Sequence, residues 1–415
     1  MRTGKVYLVG AGPGDPGLLT VRGRELLQQA DLVLYDGLAN PLLLSLTGGR
    51  CERTARTRVG GDSIVPQRAI NERLIQEAQA GNTVVRLKGG DPYIFGRGSE
   101  EVAALQAAGV PFEVIPGITA ATAAAEYAGF SFTHRDHASA VAFITGHEDP
   151  TRPVSHLDFT VLAAFPGTLV FYMGLGRIAT ICDELIKHGK APETPAAVVC
   201  HASLPSQRVL TSTLTELPAA AASAGLKPPS LIVVGECVTL RNGESWFEQR
   251  ALFGKRIGVT RPIDQCDEVA QQIIQLSGQP VLMPLIEIHP VGADLHPQIN
   301  AALTALKDFH WLIFTSVNGI HEFFRHLERC GLDVRALGHL KLGAIGSATA
   351  MALRQRGLNA DVVPEVFRAE TLADCLKPHV AGQRILWARA SRGRDVLPAM
   401  LTAVGADDGT GRLSE

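Results

Sequence analysis

Cysteine is scarce in this sequence and never paired in a C-x-x-C motif: Cys51, Cys182, Cys200, Cys237, Cys266, Cys330 and Cys375 are odd in number and far apart. That excludes a disulfide framework and predicts reduced thiols. An excess of one charge is missing too. The formal net charge of −2 provides no global field to gather nucleic acid or an anionic membrane, so any anionic ligand must be met by local Arg or Lys. The start lacks a charged segment followed by an apolar one, because Met1 to Thr3 runs straight into the strand-like Lys5-Val-Tyr-Leu-Val-Gly10. No apolar run is long enough to span a bilayer. The expectation is a soluble, cytoplasmic protein without nucleic-acid or membrane partners.

What is present is a normal globular balance, 46% apolar and 19% charged, over 415 residues, too many for one ordinary core. Short apolar runs alternate with helical patterns from the start: strands at Val6 to Val9, Leu32 to Tyr35, Val84 to Leu87 and Phe112 to Ile115, helices at Thr20 to Ala30, Gln67 to Ala80 and Ser99 to Ala108. Ser99 is the expected cap of the last of these, with Glu100 and Glu101 suiting the helix dipole. The pattern predicts a parallel α/β layout. After Pro116-Gly117 an Ala-rich helix (Thr119 to Ala128) precedes strands near Ala140, Leu169, Ala196 and Leu231, and 148–164 reads as a loop. Alternation resumes at Gly254-Lys-Arg-Ile-Gly-Val-Thr260. The expected domains are 1–117, 118–245 and 254–405, with 406–415 as a frayed tail.

Gly10-Ala-Gly12-Pro-Gly14-Asp-Pro16 closes the first strand, where α/β folds put ligand loops. By position it imitates a dinucleotide fingerprint, and Asp36 ends the second strand about where a ribose-binding acid would sit. Pro13, however, removes a backbone donor and Asp15 adds negative charge, which disfavours a pyrophosphate. A plain structural turn stays open for this loop taken alone.

A second glycine loop, Arg86-Leu-Lys-Gly-Gly90-Asp-Pro-Tyr-Ile-Phe95-Gly-Arg-Gly98, lets backbone approach a flat ligand closely. With it the sequence resembles the uroporphyrinogen-III C-methyltransferases, within the tetrapyrrole methylases, over residues 4 to about 243. The likeness rests also on Val9-Gly-Ala-Gly-Pro-Gly-Asp-Pro-Gly-Leu-Leu-Thr20, Val114-Ile-Pro-Gly-Ile-Thr-Ala-Ala121, Thr133-His-Arg135, Phe171-Tyr-Met-Gly174 and Leu231-Ile-Val-Val-Gly-Glu236. The resemblance implies a two-lobed α/β enzyme, usually a homodimer, binding S-adenosylmethionine between its lobes. Carried over, the cofactor contacts are Pro13, Gly89, Gly90, Asp91, Ile94, Thr119, Ala120, Met173 and Ala202. Taken singly, Ile94 and Met173 read rather as core residues; within the ordered set of motifs they read as cofactor contacts.

Methyl transfer from a sulfonium is an in-line displacement that needs positioning and no metal. The acceptor implied by the family is a pyrrole carbon of uroporphyrinogen III, methylated at two ring positions to give precorrin-2. The proton then lost calls for a general base, a role the resemblance gives to Asp36. Arg22, Arg97 and Arg135 lie in or beside the motifs and suit the substrate's carboxylates, though each also reads as a surface charge. The sequence departs from many relatives at Thr57-Arg-Val-Gly-Gly61: Arg58 falls at a lysine assigned as proton donor. Arg cannot give up its proton, so Arg58 reads instead as a carboxylate anchor.

Residues 254 to about 405 resemble uroporphyrinogen-III synthase, more loosely, through Gly254-Lys-Arg-Ile-Gly-Val-Thr-Arg-Pro262, Phe314-Thr-Ser-Val-Asn-Gly319, Ala344-Ile-Gly-Ser-Ala-Thr349 and Leu386-Trp-Ala-Arg-Ala-Ser391. That implies a two-domain α/β enzyme binding a linear tetrapyrrole between its domains, with Thr315, Ser316, Asn318 and Ser347 as candidate contacts or, equally, helix caps. The family chain runs further, so the expectation is a partial synthase fold, inactive as it stands. Competing expectations are a methylase of a later precorrin, an NAD-dependent oxidoreductase using Gly10 to Gly14, and a non-catalytic tetrapyrrole sensor.

Overall fold

The computed structural model describes residues 4–54, 66–147, 157–290, 292–390 and 395–414. They form two compact units: Met1–Val259 with Asp264–Met283, and Thr260–Ile263 with Pro284–Glu415.

The first unit opens with a five-stranded parallel sheet of β1 (Lys5–Gly10), β2 (Leu32–Asp36), β3 (Arg50–Thr54), β4 (Thr83–Lys88) and β5 (Phe112–Ile115), ordered β3-β2-β4-β1-β5. Both faces are covered, which is why the inner strands β1, β2 and β4 read as nearly continuous apolar runs. Leu26 and Leu27 of α1 (Val21–Gln29) pack on one face with Val9, Val33, Val85 and Leu87. On the other, Ile70 and Leu74 of α2 (Gln67–Gln79) and Val102 and Leu105 of α3 (Gly98–Ala107) meet Val6, Leu8 and Leu34. Strand β3, Arg-Cys-Glu-Arg-Thr, carries no apolar signal, because it is an edge held by charge. Glu52 accepts from Arg73 of α2, and Arg50 pairs with Glu77. All five strands run the same way, so Gly10, Asp36, Lys88 and Ile115 end at one edge, the usual place for a ligand in such sheets.

The second sheet, ordered β6-β7-β10-β8-β9, is mixed. Strand β6 (Val141–Thr145) runs parallel to β7 (Thr168–Tyr172). However, β8 (Pro195–Cys200) is antiparallel to β9 (Arg208–Thr213), and β10 (Ser230–Val234) is antiparallel to both β7 and β8. Direction is not legible in a fully buried apolar strand. Helix α4 (Ala120–Ala128) lays Ala121, Ala124, Ala125 and Ala128 on one face, small side chains that let it sit close to Val170, Ala197 and Val233. On the other face lie α5 (Phe159–Ala164), α6 (Ile178–Lys187) and α7 (Leu217–Ser223). Where a loop was expected through Ala164, 159–164 are helical, with the Asp158 carboxylate accepting from the N–H groups of Thr160 and Val161. The unit closes with a parallel pair, β11 (Arg256–Val259) and β12 (Gln279–Leu282), joined by α8 (Asp267–Gln275). Among the described residues no helix is long and apolar enough to cross a membrane.

The second unit is a parallel sheet, β14-β13-β15-β16, of β13 (Trp311–Phe314), β14 (Lys341–Ala344), β15 (Arg384–Ala390) and β16 (Asp407–Ser414). Leu312, Phe314, Leu342 and Leu386 pack with α9 (His296–Thr304), α10 (Val317–Arg329) and α11 (Ser347–Gln355) on one face. Trp311, Ile313, Ile385 and Trp387 pack with α12 (Ala369–Leu376) and α13 (Val396–Thr402) on the other. The expected frayed tail is in fact β16, in register with β15 from Arg384↔Asp407 onward. Backbone pairing along the β15 edge orders it, and its small polar residues give no propensity signal.

Candidate active site

Three loops meet at the carboxyl edge of the first sheet. The N–H of Gly12 donates to the Gly90 carbonyl (3.2 Å), the N–H of Gly90 to the Gly12 carbonyl (2.7 Å), and the N–H of Ala11 to the Lys88 carbonyl (2.7 Å). Glycine is dictated at Gly117, where a Cβ would lie 2.3 Å from the Gly90 oxygen and 2.7 Å from the Gly10 Cα. Backbone therefore lines this part of the cleft, and Gly90 itself bends through a left-handed φ of 66°.

Two carboxylates tie these loops together. Asp91 accepts from Tyr93 (2.8 Å) and Ile94 (3.2 Å) on one oxygen and from Gly117 (3.0 Å) on the other, bridging two loops. Asp36 accepts from Leu38 (3.0 Å) and Ala39 (3.1 Å) on Oδ1 and from Gly89 (3.0 Å) on Oδ2. Asp36 therefore has a structural task beside any chemical one, holding Gly89 in place; Oδ1 is filled by its two donors, and Oδ2 retains a lone pair for a further partner. Asp15 also proves to be a fastener. Its carboxylate accepts from the Gly17 N–H (2.8 Å) and the Tyr127 hydroxyl (2.7 Å), and its N–H donates to Ser203 Oγ (3.1 Å), joining the first glycine loop to the second sheet's lobe. Burial, aided by Asp15, raises the Tyr127 phenol's pKa, so it stays a donor.

Across the cleft, the Tyr172 hydroxyl meets Thr119 Oγ1 at 2.7 Å and accepts from the Ala121 N–H at 3.0 Å. Burial raises the Tyr172 pKa. Its ring packs against Phe95 (centroids 4.8 Å apart) and Phe143 (5.9 Å). Ala120 and Ala202 pack on the same buried cluster that contains Tyr172. Met173 follows at a left-handed φ of 55° and is 54% exposed; Ile94 is 39% exposed. Neither is a core residue, which removes the alternative left open for them. Thus Pro13, Gly89, Gly90, Asp91, Ile94, Thr119, Met173 and Ala202 lie on loops that this network joins, and Ala120 opens α4 beside Thr119. Tyr172 and Phe95 were not singled out from the sequence, although both lie inside the quoted motifs.

The arginines fare differently. Arg22 pairs with Glu25 (3.3 Å) and Glu113 (3.7 Å) on the flank of the first sheet. Arg97 spends its fork on Glu100, with both contacts at 2.6 Å. It also stands at the cap of α3 with a φ of 57°, displacing Ser99 from the expected cap: the returning loop is closed by the Gly98 N–H donating to the Pro92 carbonyl. Arg135 is exposed in a tight turn bridged by His134 and Ala138, with no ion pair among the described residues, and is the freest of the three. Arg58 lies outside the described residues.

The sequence also gave no hint of a charge cluster under the second glycine loop. Arg86, Lys88 and Glu101 are almost wholly buried, with Arg86 Nε 3.1 Å and Lys88 Nζ 3.0 Å from the two Glu101 oxygens. Gln67 Nε2 also donates to Glu101 (3.2 Å). Lys88 immediately precedes the loop and Glu101 follows its end, so one ion cluster holds both ends of residues 89–98.

In the second unit, Ser316 caps α10, its Oγ accepting from the Gly319 N–H at 3.0 Å. Thr315 precedes it, Asn318 lies in the first turn of α10, and Ser347 opens α11. All four sit at the carboxyl ends of the adjacent strands β13 and β14, and capping is the observed task of Ser316.

Residues 5–218 match the tetrapyrrole (corrin/porphyrin) methylases, and residues 267–407 match uroporphyrinogen-III synthase HemD. The porphyrin biosynthesis protein HemD of Ruminiclostridium josui is 40% identical over 373 residues, covering 90% of this chain and 73% of that protein. The siroheme synthase of Pseudomonas fluorescens (strain Pf0-1) is 52% identical over 247 residues, covering 59% of this chain; the chain spans only 53% of that relative's length. A solved uroporphyrin-III C-methyltransferase of Thermus thermophilus, complexed with S-adenosyl homocysteine, is 39% identical, covering 57% of this chain and all (100%) of that one, with a TM-score of 0.49.

Proposed function

Because this chain belongs to the tetrapyrrole methylase family and carries a uroporphyrinogen-III synthase segment behind the methylase, we propose that it uses S-adenosylmethionine to methylate uroporphyrinogen III at two ring carbons. The product, precorrin-2, leads to sirohaem or cobalamin. The observation that carries the proposal is the loop junction around Gly90: close-packed backbone, walled by exposed Ile94 and Met173 and by the Phe95–Tyr172 pair. A phosphate fits poorly there, because Pro13 offers no N–H and Asp15 puts a carboxylate in the same loop. Apolar and polarizable walls over carbonyl-rich backbone suit the adenine and methionine parts of a sulfonium ligand.

The bound donor supplies an electrophilic methyl group. The chain's part is to hold donor and acceptor carbon in line and keep water out. The Asp91 bridge fixes the loop that carries Ile94, and the Tyr172 hydroxyl fixes the start of α4 at Thr119. Asp36, at the end of β2, is the carboxylate positioned to take the proton released from the methylated ring carbon. Arg135 is the arginine still available for substrate carboxylates, and Arg22 and Arg97 serve only if they exchange their glutamates. A homodimer belongs to the same reading and is checked by sedimentation.

For the synthase segment, the proposal is little or no ring closure by this polypeptide alone. The first of the two domains implied by the resemblance is represented, among the described residues, by the two-stranded β11–β12 pair. Supplying porphobilinogen deaminase and porphobilinogen and separating the isomers tests this: enzyme-dependent type III product overturns it. The cofactor assignment is tested by calorimetry. S-adenosylhomocysteine should bind and a nicotinamide dinucleotide should not; the reverse result removes the methyltransferase reading.

A further inference from the structure

Between β8 and β9, within the first compact unit, the chain makes a tight turn over 201–207 that carries Ala202. The residues on either side of Ala202, His201 and Ser203, have left-handed φ angles of 50° and 66°. A residue with a Cβ is strained there and persists only where its surroundings over-determine it. Much of that hold comes from one side chain. Gln207 is 4% exposed and its amide is engaged at both ends. Oε1 accepts from the Ser203 N–H (3.1 Å), while Nε2 donates to the Tyr127 carbonyl (2.9 Å) and to Glu248 Oε1 (3.3 Å). Glu248 is fixed in turn, its other oxygen accepting from Arg241 (2.7 Å) and from the Ser245 N–H (2.8 Å).

The first glycine loop rests on the same turn. Ser203 Oγ accepts from the Asp15 N–H at 3.1 Å, and a Cβ at Gly14 would lie 2.7 Å from Leu204 Cγ. The Asp15 carboxylate accepts from the hydroxyl of Tyr127, the residue whose carbonyl Gln207 holds. Three segments bearing cofactor-contact candidates therefore converge on Gln207: the loop with Pro13, helix α4 that opens at Thr119 and Ala120, and the turn with Ala202. Capping α4 explains only part of this. The carbonyls of Tyr127 and Ala128 end that helix, and Gln207 and Arg241 satisfy them. That accounts for Nε2 of Gln207, whereas Oε1 serves the strained Ser203.

We propose that Gln207 is a positioning residue for the methyl donor: by holding Ser203 it keeps Ala202, and through Ser203 the Pro13 loop, in the arrangement that binds the donor. The proposal rests on the methyltransferase reading. Its signature is a change in donor affinity rather than in the chemical step, because the contacts it maintains are made equally in the bound state and the transition state.

The test uses the full chain with Gln207→Met, which keeps the length of the side chain and removes its polar atoms. Hydrogen exchange read by mass spectrometry reports the clasp without any ligand: segments 10–18 and 200–207 should exchange about tenfold faster than in wild type. The S-adenosylhomocysteine Kd from calorimetry should rise roughly tenfold and the KM for S-adenosylmethionine with it, while kcat stays within about twofold. Adding His201→Gly, which takes a left-handed φ without strain, should recover about threefold or more of the lost affinity. Ser203→Ala, a milder change, removes only the acceptor of the Asp15 N–H and should speed exchange in 10–18 but not in 200–207. Wild-type exchange in 200–207 of Gln207→Met, or faster exchange confined to the end of α4 with Kd unchanged, overturns the proposal, as does a fall in kcat at unchanged KM. Should Gln207→Met not fold, wild-type exchange in 10–18 of Ser203→Ala overturns the link to the first glycine loop. A wild type that binds no S-adenosylhomocysteine, with exchange responding as expected, overturns the methyltransferase reading and leaves the clasp standing.

Discussion

Replacing Glu101 by Gln removes the carboxylate that lies against two buried cations, Arg86 at 3.1 Å and Lys88 at 3.0 Å. Breaking a buried ion pair from one side costs about 3–5 kcal/mol, because the partner's charge stays buried without compensation. Glutamine keeps one carbonyl oxygen as an acceptor, so the expected loss is near the lower end, about 3 kcal/mol. That is a large share of a domain's usual stability of about 5–15 kcal/mol. With a urea dependence of about 2 kcal/mol per molar, the midpoint of the first unit's transition should fall by roughly 1.5 M. Acid titration supplies the sign. Burial works to raise the Glu101 pKa, but Arg86 and Lys88 outweigh it and hold the carboxyl below its usual 4.5. A group lowered in the folded state contributes fully above its unfolded value and loses that contribution as pH falls through the folded one. The gap between wild type and variant should therefore be complete at neutral pH and close below about pH 4.5. The same clamp holds both ends of residues 89–98, so S-adenosylhomocysteine affinity should fall with it. A midpoint shift under about 0.3 M, or a gap that widens in acid, refutes the clamp.

Three further predictions follow from the cleft. Gly117→Ala puts a methyl 2.3 Å from the Gly90 oxygen, so cofactor binding measured by calorimetry should be lost while far-UV circular dichroism is retained. Tyr172→Phe leaves the Ala121 N–H and Thr119 hydroxyl without their shared partner; at about 1–1.5 kcal/mol it should weaken S-adenosylhomocysteine roughly tenfold, and an unchanged Kd removes Tyr172 from the site. Asp36→Asn keeps an acceptor for Leu38 and Ala39 but has no basic carboxylate, so single-turnover methylation should drop by about 10²–10⁴ with cofactor affinity little changed. A parallel loss of binding assigns Asp36 only to holding Gly89.

Much of this was legible in the chain itself, for identifiable reasons. The buried strands β1, β2 and β4 stood out because both faces are covered, which makes each a nearly continuous apolar run, interrupted in β4 by the buried Arg86. Strand β3 did not, because its edge is held by Arg50, Glu52, Arg73 and Glu77 rather than by apolar contact. Strand direction in the second sheet, and pairing of the last strand, depend on partners distant in sequence. The loops bearing Gly89, Gly90 and Asp91 were found from their motif. Tyr172 was missed because a tyrosine ending an apolar strand looks like core, and only the position of Thr119 across the cleft gives its hydroxyl a task. The arginines were the least legible. Residue type suggests a carboxylate anchor, whereas Glu25, Glu113 and Glu100, which occupy Arg22 and Arg97, are visible only in three dimensions.

The most direct measurement is an anaerobic incubation of the full chain with uroporphyrinogen III and S-adenosylmethionine, followed by mass analysis of the tetrapyrrole. The account predicts a product heavier by two methyl groups, formed only when both reactants are present. An unmodified tetrapyrrole, with a later precorrin methylated in its place, contradicts it.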